Sequence, residues 1–294
     1  MNLKMMNKTK INFNKETHTY SVEETGKILT SVTQQLNKIT PVFDTYNQSI
    51  KYAAKHGNTP EYWRKEWKRI NKESLIRGNE IHDKLDGSIS YNGETKNAIS
   101  SFSVRNLLNC LNGNLLSKDN FYNTYLSTYP EILKDFEKDL NDGWEIFSEI
   151  LVYNIDYLTA GTIDVPLIKK KERKIKIKDW KTNKDDLHSV SGYYKKVNGI
   201  KSNIWVNKDE RLLYPLNYLQ HCKLVLYELQ LSLYGFLAET SCDLIVDGIE
   251  LWHIHPNYEK KYILEYKKND VINLLNYLKN KNEIKSNKQV FGIF

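Results

Sequence analysis

From residue 174 to 181 the chain reads Lys-Ile-Lys-Ile-Lys-Asp-Trp-Lys, an alternation of basic and apolar positions with the two-residue period of a β-strand. A second strand pattern covers 157–168, and the polar run Lys170-Lys171-Glu172-Arg173 between them predicts the turn of a hairpin. If Lys169 and Lys174 close that turn, Asp164 falls directly opposite Asp179. Short strands are predicted over 11–30, around a tip at Glu24-Thr25-Gly26-Lys27, and Ser31 then opens a helical region. Thr59 and Pro60 mark a helix start as N-cap and first helical residue, leading into Trp63, Trp67 and Ile70 at helical spacing, and the two tryptophans are expected in the core. A further helix over about 72–85 carries Arg77 and His82 and stops near Gly87. Residues 88–147 read as a mostly polar helical insertion that includes a helix over 130–141. Residues 185–211 read as a long loop rich in Gly, Ser, Asn, Tyr and Lys. A helix over 218–239, strands over 244–255 and an amphipathic helix over 269–278 follow, the last with Val271, Leu274, Leu275 and Leu278 on one side.

Length and composition bound this picture. A chain of 294 residues can bury one substantial core, so a single domain over 1–294 with an elaborated periphery is expected. Its 43 basic residues against 36 acids give a net charge of +7, an excess compatible with a nucleic-acid partner. Part of it is concentrated over 169–178 and at Lys195-Lys196. The aromatic residues Tyr193, Tyr194 and Trp205 lie beside lysines, a composition that suits stacking on single-strand bases or, equally, an incidental connector. The three cysteines, Cys110, Cys222 and Cys242, are too few and too scattered for a disulfide framework or a four-cysteine iron-sulfur cluster. Without a long apolar run or a signal-peptide pattern, the protein is expected to be soluble and cytoplasmic, with no membrane partner.

The hairpin concentrates candidate chemistry. Opposed strand residues place their Cβ atoms about 5 Å apart, where like charges repel, so Asp164 and Asp179 call for a cation between them. Lys181 projects from the same strand face as Asp179. A hard divalent ion on the two carboxylates, with the ammonium beside it, would set up water attack on a phosphate. An ordinary surface hairpin with exposed ion pairs would carry the same residues. His253-Ile254-His255 could in principle hold zinc, but no further ligands follow it, and it reads as a solvent-facing or structural strand pattern.

Five motifs occur in order: Arg77-Gly78-Asn79-Glu80-Ile81-His82, Ser148-Glu149-Ile150-Leu151-Val152-Tyr153, Gly161-Thr162-Ile163-Asp164, Asp179-Trp180-Lys181-Thr182 and Gln230-Leu231-Ser232-Leu233-Tyr234. Together they resemble the PD-(D/E)XK nuclease superfamily. The resemblance is to its RecB-like branch, which includes phage exonucleases and the mitochondrial genome maintenance exonuclease, and it spans roughly residues 29–256. The family's proline before the first Asp is replaced here by Ile163. The resemblance implies a restriction-endonuclease-like α/β core, a central mixed sheet flanked by helices, with helical insertions. It implies magnesium, or manganese in its stead, held by His82, Asp164, Asp179 and the backbone carbonyl of Trp180. It makes Asp164, Asp179, Lys181, Glu149 and His82 the catalytic set, and places Gln230 and Tyr234 at the substrate or the lysine. Arg77 is a candidate phosphate contact. The implied activity is hydrolysis of DNA, most of all by an exonuclease acting on single strands or free ends in phage-type recombination, repair or replication, alongside proteins of those processes. The host cytoplasm is the implied location for a phage-encoded chain. A structure-selective endonuclease, and a nucleic-acid-binding or assembly protein with a vestigial site, are the alternatives.

Overall fold

The structure, a computed structural model, describes residues 10–14, 17, 19–89, 128–197 and 200–290. Residues 90–127 of the expected insertion, with Cys110, and residues 198–199 of the expected loop lie outside the described residues. The chain is mixed α/β, and its strands divide between two five-stranded ladders where a single central sheet was expected. The first ladder has the order β1-β2-β3-β6-β5 and comprises β1 (Ile11–Asn14), β2 (Thr19–Val22), β3 (Ile28–Ser31), β5 (Ile150–Asn154) and β6 (Thr159–Ile163). Its one parallel pairing joins β3 to β6. The second has the order β12-β11-β8-β7-β4 and comprises β4 (Glu145–Ile146), β7 (Val165–Lys169), β8 (Lys174–Lys181), β11 (Ile245–His255) and β12 (Tyr258–Leu264), with β8 and β11 parallel.

The predicted arm 157–168 is therefore two strands that change ladder at Asp164. Beyond that residue the hairpin register is the one read from the turn, running from Val165 opposite Lys178 to Lys169 opposite Lys174. Continuing it by one step brings Asp164 to the level of Asp179.

Helix α5 (Lys223–Cys242) lies against both ladders, packing on β5, β6, β8 and β11. Leu229, Leu233 and Leu237 join Ile150, Ile163, Ile175 and Ile177 in the largest buried cluster. It is closed by Val271, Leu274, Leu275 and Leu278 of α6 (Lys268–Val290), the apolar side expected of that helix. Helix α1 (Val32–Asn37) begins with a reciprocal capping box between Ser31 and Gln34. The opposite face of β8 is covered by α4 (Pro130–Asn141), whose Ile132 and Phe136 are fully buried with Trp180 and Trp252. Within the expected insertion, Ile132, Phe136, Trp144 and Ile146 are buried against Val165, Leu167 and Trp180, so this part of it packs on the sheet.

The lysines of β8 also depart from expectation. Lys178 has no exposed surface and its ammonium meets Asp135, Asp139 and Glu250; Lys176 and Lys261 complete the cluster. Three ammonium groups face three carboxylates. A buried charge persists only when paired, so this half of the basic run is neutralised inside the fold and presents nothing to a polyanion. Lys170 and Lys174 are likewise paired, with Glu145 and with Glu172 and Asp247.

The helices predicted at 60 and 72 are one, α3 (Pro60–Ile89), capped by the Thr59 hydroxyl, which accepts from the Tyr62 N–H at 3.2 Å. Arg69 bridges the expected break, pairing with Glu66 at 2.6 Å and Glu73 at 2.5 Å. Trp63 and Trp67 are not in the core. They are half-buried against Tyr52 of α2 (Thr45–His56), at 4.6 and 5.7 Å between rings, and Ile70 is exposed, because α2 and α3 pack mainly on each other. Residues 185–211 contain a hairpin of β9 (Gly192–Val197) and β10 (Ile200–Asn207) in place of a loop. Among the described residues no helix is long and apolar enough to cross a membrane.

Candidate active site

The change of ladder at Asp164 creates the site. Its carboxylate projects from the bend between β6 and β7, beside the end of β8, where Asp179 and Lys181 face α5. The Lys181 ammonium is 2.5 Å from Asp179 Oδ1, on the face the strand period gives it. It also lies over the ring of Tyr227 on α5, 5.1 Å from the ring centre. His82 arrives from α3, with Nδ1 3.3 Å from Asp164 Oδ2 and its ring beside the backbone of Trp180. The Trp180 indole itself is buried with Phe136, leaving only its carbonyl at the site.

Glu149, expected on a strand, sits one residue ahead of β5 with a left-handed backbone (φ 50°). Its N–H donates to the Asp164 carbonyl at 3.0 Å, which ties the β4–β5 connector to the bend. Gln230 Nε2 donates to the Tyr234 hydroxyl at 3.0 Å. The Tyr234 ring lies against Gly161, where a Cβ would come within 2.5 Å of it, so the glycine of the Gly-Thr-Ile-Asp motif makes room for the tyrosine of the helix. His82, Glu149, Asp164, Lys181, Gln230 and Tyr234 line one cleft of about 740 Å³, with Asp179 almost wholly buried behind Lys181. Arg77 is the exception: its guanidinium donates to the Thr182 carbonyl at 3.1 Å and is absent from the cleft wall.

Burial depresses the His82 pKa, and the Lys181 charge adds to this, which favours the neutral imidazole. Burial also pushes Lys181 downward, but Asp179 and Asp164 more than reverse it, and the ammonium titrates above the usual lysine range. The Tyr234 phenol is held well above its ordinary value by burial and by the same two carboxylates.

Two places offer carboxylates to a cation. Among the described residues, one group of three acids has its ligand atoms within 4.8 Å of one another and could hold a metal ion, namely Asp135, Asp139 and Glu250. The Lys178 ammonium already meets all three, and removing a hydrated ion's shell to displace it would gain little. At the cleft the donor set is Asp164, Asp179, the His82 imidazole and the Trp180 carbonyl. There Asp179 Oδ2 is buried and has no hydrogen-bond partner among the described residues, a costly arrangement that a bound cation would relieve. The described cysteines, Cys222 and Cys242, are both free thiols.

His253 is not solvent-facing. It is fully buried beside Lys181 in the β8–β11 ladder, and its Nε2 bonds the Asn183 carbonyl at 2.8 Å, a structural tie. Tyr20, Thr162, Ser31 and Gln34 also reach the cleft, and Tyr20 and Thr162 share a 3.0 Å hydroxyl contact. Thr162 belongs to the Gly-Thr-Ile-Asp motif, whereas nothing local in the sequence marks Tyr20, Ser31 and Gln34, which β2, β3 and α1 bring to the site through the parallel pairing of β3 with β6. Tyr227 had a signal, three residues before Gln230 on the same helical face. No protein-family model matches the chain, and no curated protein shows significant similarity to it.

Proposed function

We propose that this chain is a metal-dependent deoxyribonuclease of the PD-(D/E)XK superfamily, RecB-like branch, built on a restriction-endonuclease-like core and acting as an exonuclease on single-stranded DNA or DNA ends. The observation that carries the proposal is the convergence in one cleft of residues from all five ordered motifs, with Asp179 immediately behind Lys181. The donors Asp164, Asp179, His82 and the Trp180 carbonyl, three oxygen donors and one nitrogen, suit a hard divalent ion such as magnesium, with manganese as its substitute. Bound there, such an ion would supply Lewis acidity to a phosphate and lower the pKa of a water.

The protein groups divide the remaining work. Lys181 keeps its proton next to two carboxylates, so it stabilises negative charge growing on the phosphate and does not act as the base. Glu149 orients water at the cleft wall. Gln230 is held by Tyr234 and presents its amide to the substrate. The buried Asp179 fixes the direction of the Lys181 ammonium through its Oδ1.

The test is digestion of end-labelled single- and double-stranded DNA, linear and circular, with magnesium and with chelator. Cleavage should need free ends and the metal, and Lys181→Ala should lower the rate by about 10²–10³. Asp179→Ala should do at least as much. Cleavage that persists in chelator, or that both variants retain, refutes the mechanism. Cutting of closed circles assigns the same centre to an endonuclease.

A further inference from the structure

The β9–β10 hairpin and the first turn of α5 enclose a second pocket, of about 530 Å³, outside the catalytic cleft. Its aromatic wall is a built unit. Trp205 stacks on His188 with ring centroids 3.7 Å apart and nearly parallel planes, and Tyr194 meets Trp205 edge-on at 5.0 Å. Gly192 permits this, because a Cβ there would lie 2.7 Å from the Trp205 ring and 2.3 Å from the Val206 carbonyl.

The charges around the pocket are unevenly satisfied. Asp185 pairs with Lys201, Asp186 accepts from the hydroxyls of Tyr194 and Tyr258, and Glu210 pairs with Lys208. All three acids are thereby engaged. Lys196 and Lys223, in contrast, make no ion pair with any described residue; Lys196 rests over Tyr52 at 5.9 Å, and Lys223 opens α5. The Trp205 indole N–H is buried and has no acceptor among the described residues. A ligand for this pocket must therefore bring negative charge, a hydrogen-bond acceptor and a flat, partly apolar body, with a size inside the range of small-ligand sites. A nucleotide has all of these, and only an unpaired base can enter an aromatic recess.

The location says which nucleotide. Lys223 lies seven residues before Gln230 on α5, about 10 Å along the helix axis. Leu226 lines this pocket, and its neighbour Tyr227 touches Lys181. We propose that the pocket holds one unpaired nucleotide of the substrate strand a few residues from the scissile phosphate, its base against the Tyr194–Trp205–His188 wall and its phosphates at Lys196 and Lys223. The proposal rests on the nuclease reading and gives it a substrate form: the strand is single-stranded on this side of the cleft.

The experiment measures binding of a fluorescein-labelled single-stranded oligothymidylate in chelator, as a function of salt, with the whole chain. Comparison is with Lys196→Ala/Lys223→Ala, both exposed positions that leave the core intact. Loss of two phosphate contacts should lower the slope of log affinity against log salt by about 1.4. Quenching of tryptophan fluorescence by the oligonucleotide should shrink in Trp205→Phe. Unchanged slope together with unchanged quenching overturns the proposal, even if magnesium-dependent cleavage is present. Binding with the expected slope change but no cleavage under any metal keeps the pocket and sinks the nuclease reading. Failure of the wild-type chain to bind single strands overturns the pocket proposal, and magnesium-dependent digestion of end-labelled DNA then decides the nuclease reading separately.

Discussion

Lys178→Met tests whether the acid cluster is held by ammonium groups. Methionine matches the volume and stem of lysine, so the substitution removes one charge and little packing. The structure places Lys178 in contact with Asp135 and Asp139 and 3.0 Å from Glu250, with no solvent access. The variant would leave three carboxylates facing two ammonium groups, Lys176 at 2.7 Å from Asp139 and Lys261 at 2.6 Å from Asp135. Breaking a buried ion cluster by removing one member costs about 3–5 kcal/mol. At about 2–4 °C per kcal/mol for a large domain, the melting temperature should fall by about 6–20 °C at pH 7. The sign with pH follows from Asp135. Burial raises its pKa, but Lys178 and Lys261 more than offset this, so the folded value lies below the ordinary one. The stability it contributes is present above the unfolded carboxylate pKa and is lost as pH falls through the lowered folded value. Without Lys178 the carboxylates bind protons more readily, so the gap between wild type and variant should narrow as pH drops below about 4. Thermal melts followed by circular dichroism across this range are the assay. A variant that melts with wild type at pH 7 would refute the reasoning, and a gap that widens in acid would refute the assignment of the charges.

Two further predictions concern the cleft and its surroundings. Gly161→Ala should cost about 1–3 kcal/mol by overpacking, since its Cβ would come within 2.5 Å of the Tyr234 ring and 3.1 Å of Val32. If the proposed nuclease activity is present, the variant should also lower its turnover at temperatures where it is still folded, because Tyr234 must leave Gln230; unaltered turnover would separate Tyr234 from the chemistry. Asp186 accepts from Tyr258 and Tyr194, and these bonds hold its pKa below the ordinary value. Its contribution is present above the unfolded pKa and disappears as pH falls through the folded one, so the stability lost in Tyr258→Phe should be seen at pH 7 and vanish in strong acid. A denaturant-midpoint difference of equal size at both ends would show that the bond to the carboxylate is not its source.

The features legible in the sequence are those set by neighbours along the chain. The register of β7 and β8 follows from one polar tetrapeptide between two periodic arms, and the start of α3 from Thr59 and Pro60 alone. Helix α3 was also legible as a single element: glutamates and arginines three and four apart cross the place where it was divided, and neither Gly nor Pro interrupts them between 61 and 77. The β9–β10 hairpin carried the strongest short-range hairpin signal available, Asn198-Gly199 between runs rich in tyrosine, valine and isoleucine, which the abundance of polar residues obscured.

What was not legible depends on partners far away in sequence. The alternating lysines of β8 look like an exposed face in any local window. Lys178 is buried because Asp135 and Asp139, four apart on α4, and Glu250, on a parallel strand, meet it from two directions. The same logic separates the site's residues. Asp179 and Lys181 share a strand face by period two, and Gln230 and Tyr234 share a helical face, so each pair could be found locally. That the two pairs meet, with His82 and Asp164 between, depends on the ladder breaking at Asp164 so that α5 can lie across both halves. Gly161 is the residue that connects these levels, because its missing side chain brings a helix tyrosine down onto the strand that ends in Asp164. A change there alters the site without touching a charged group, which is why the turnover of Gly161→Ala discriminates between a cleft assembled for chemistry and one assembled only by packing.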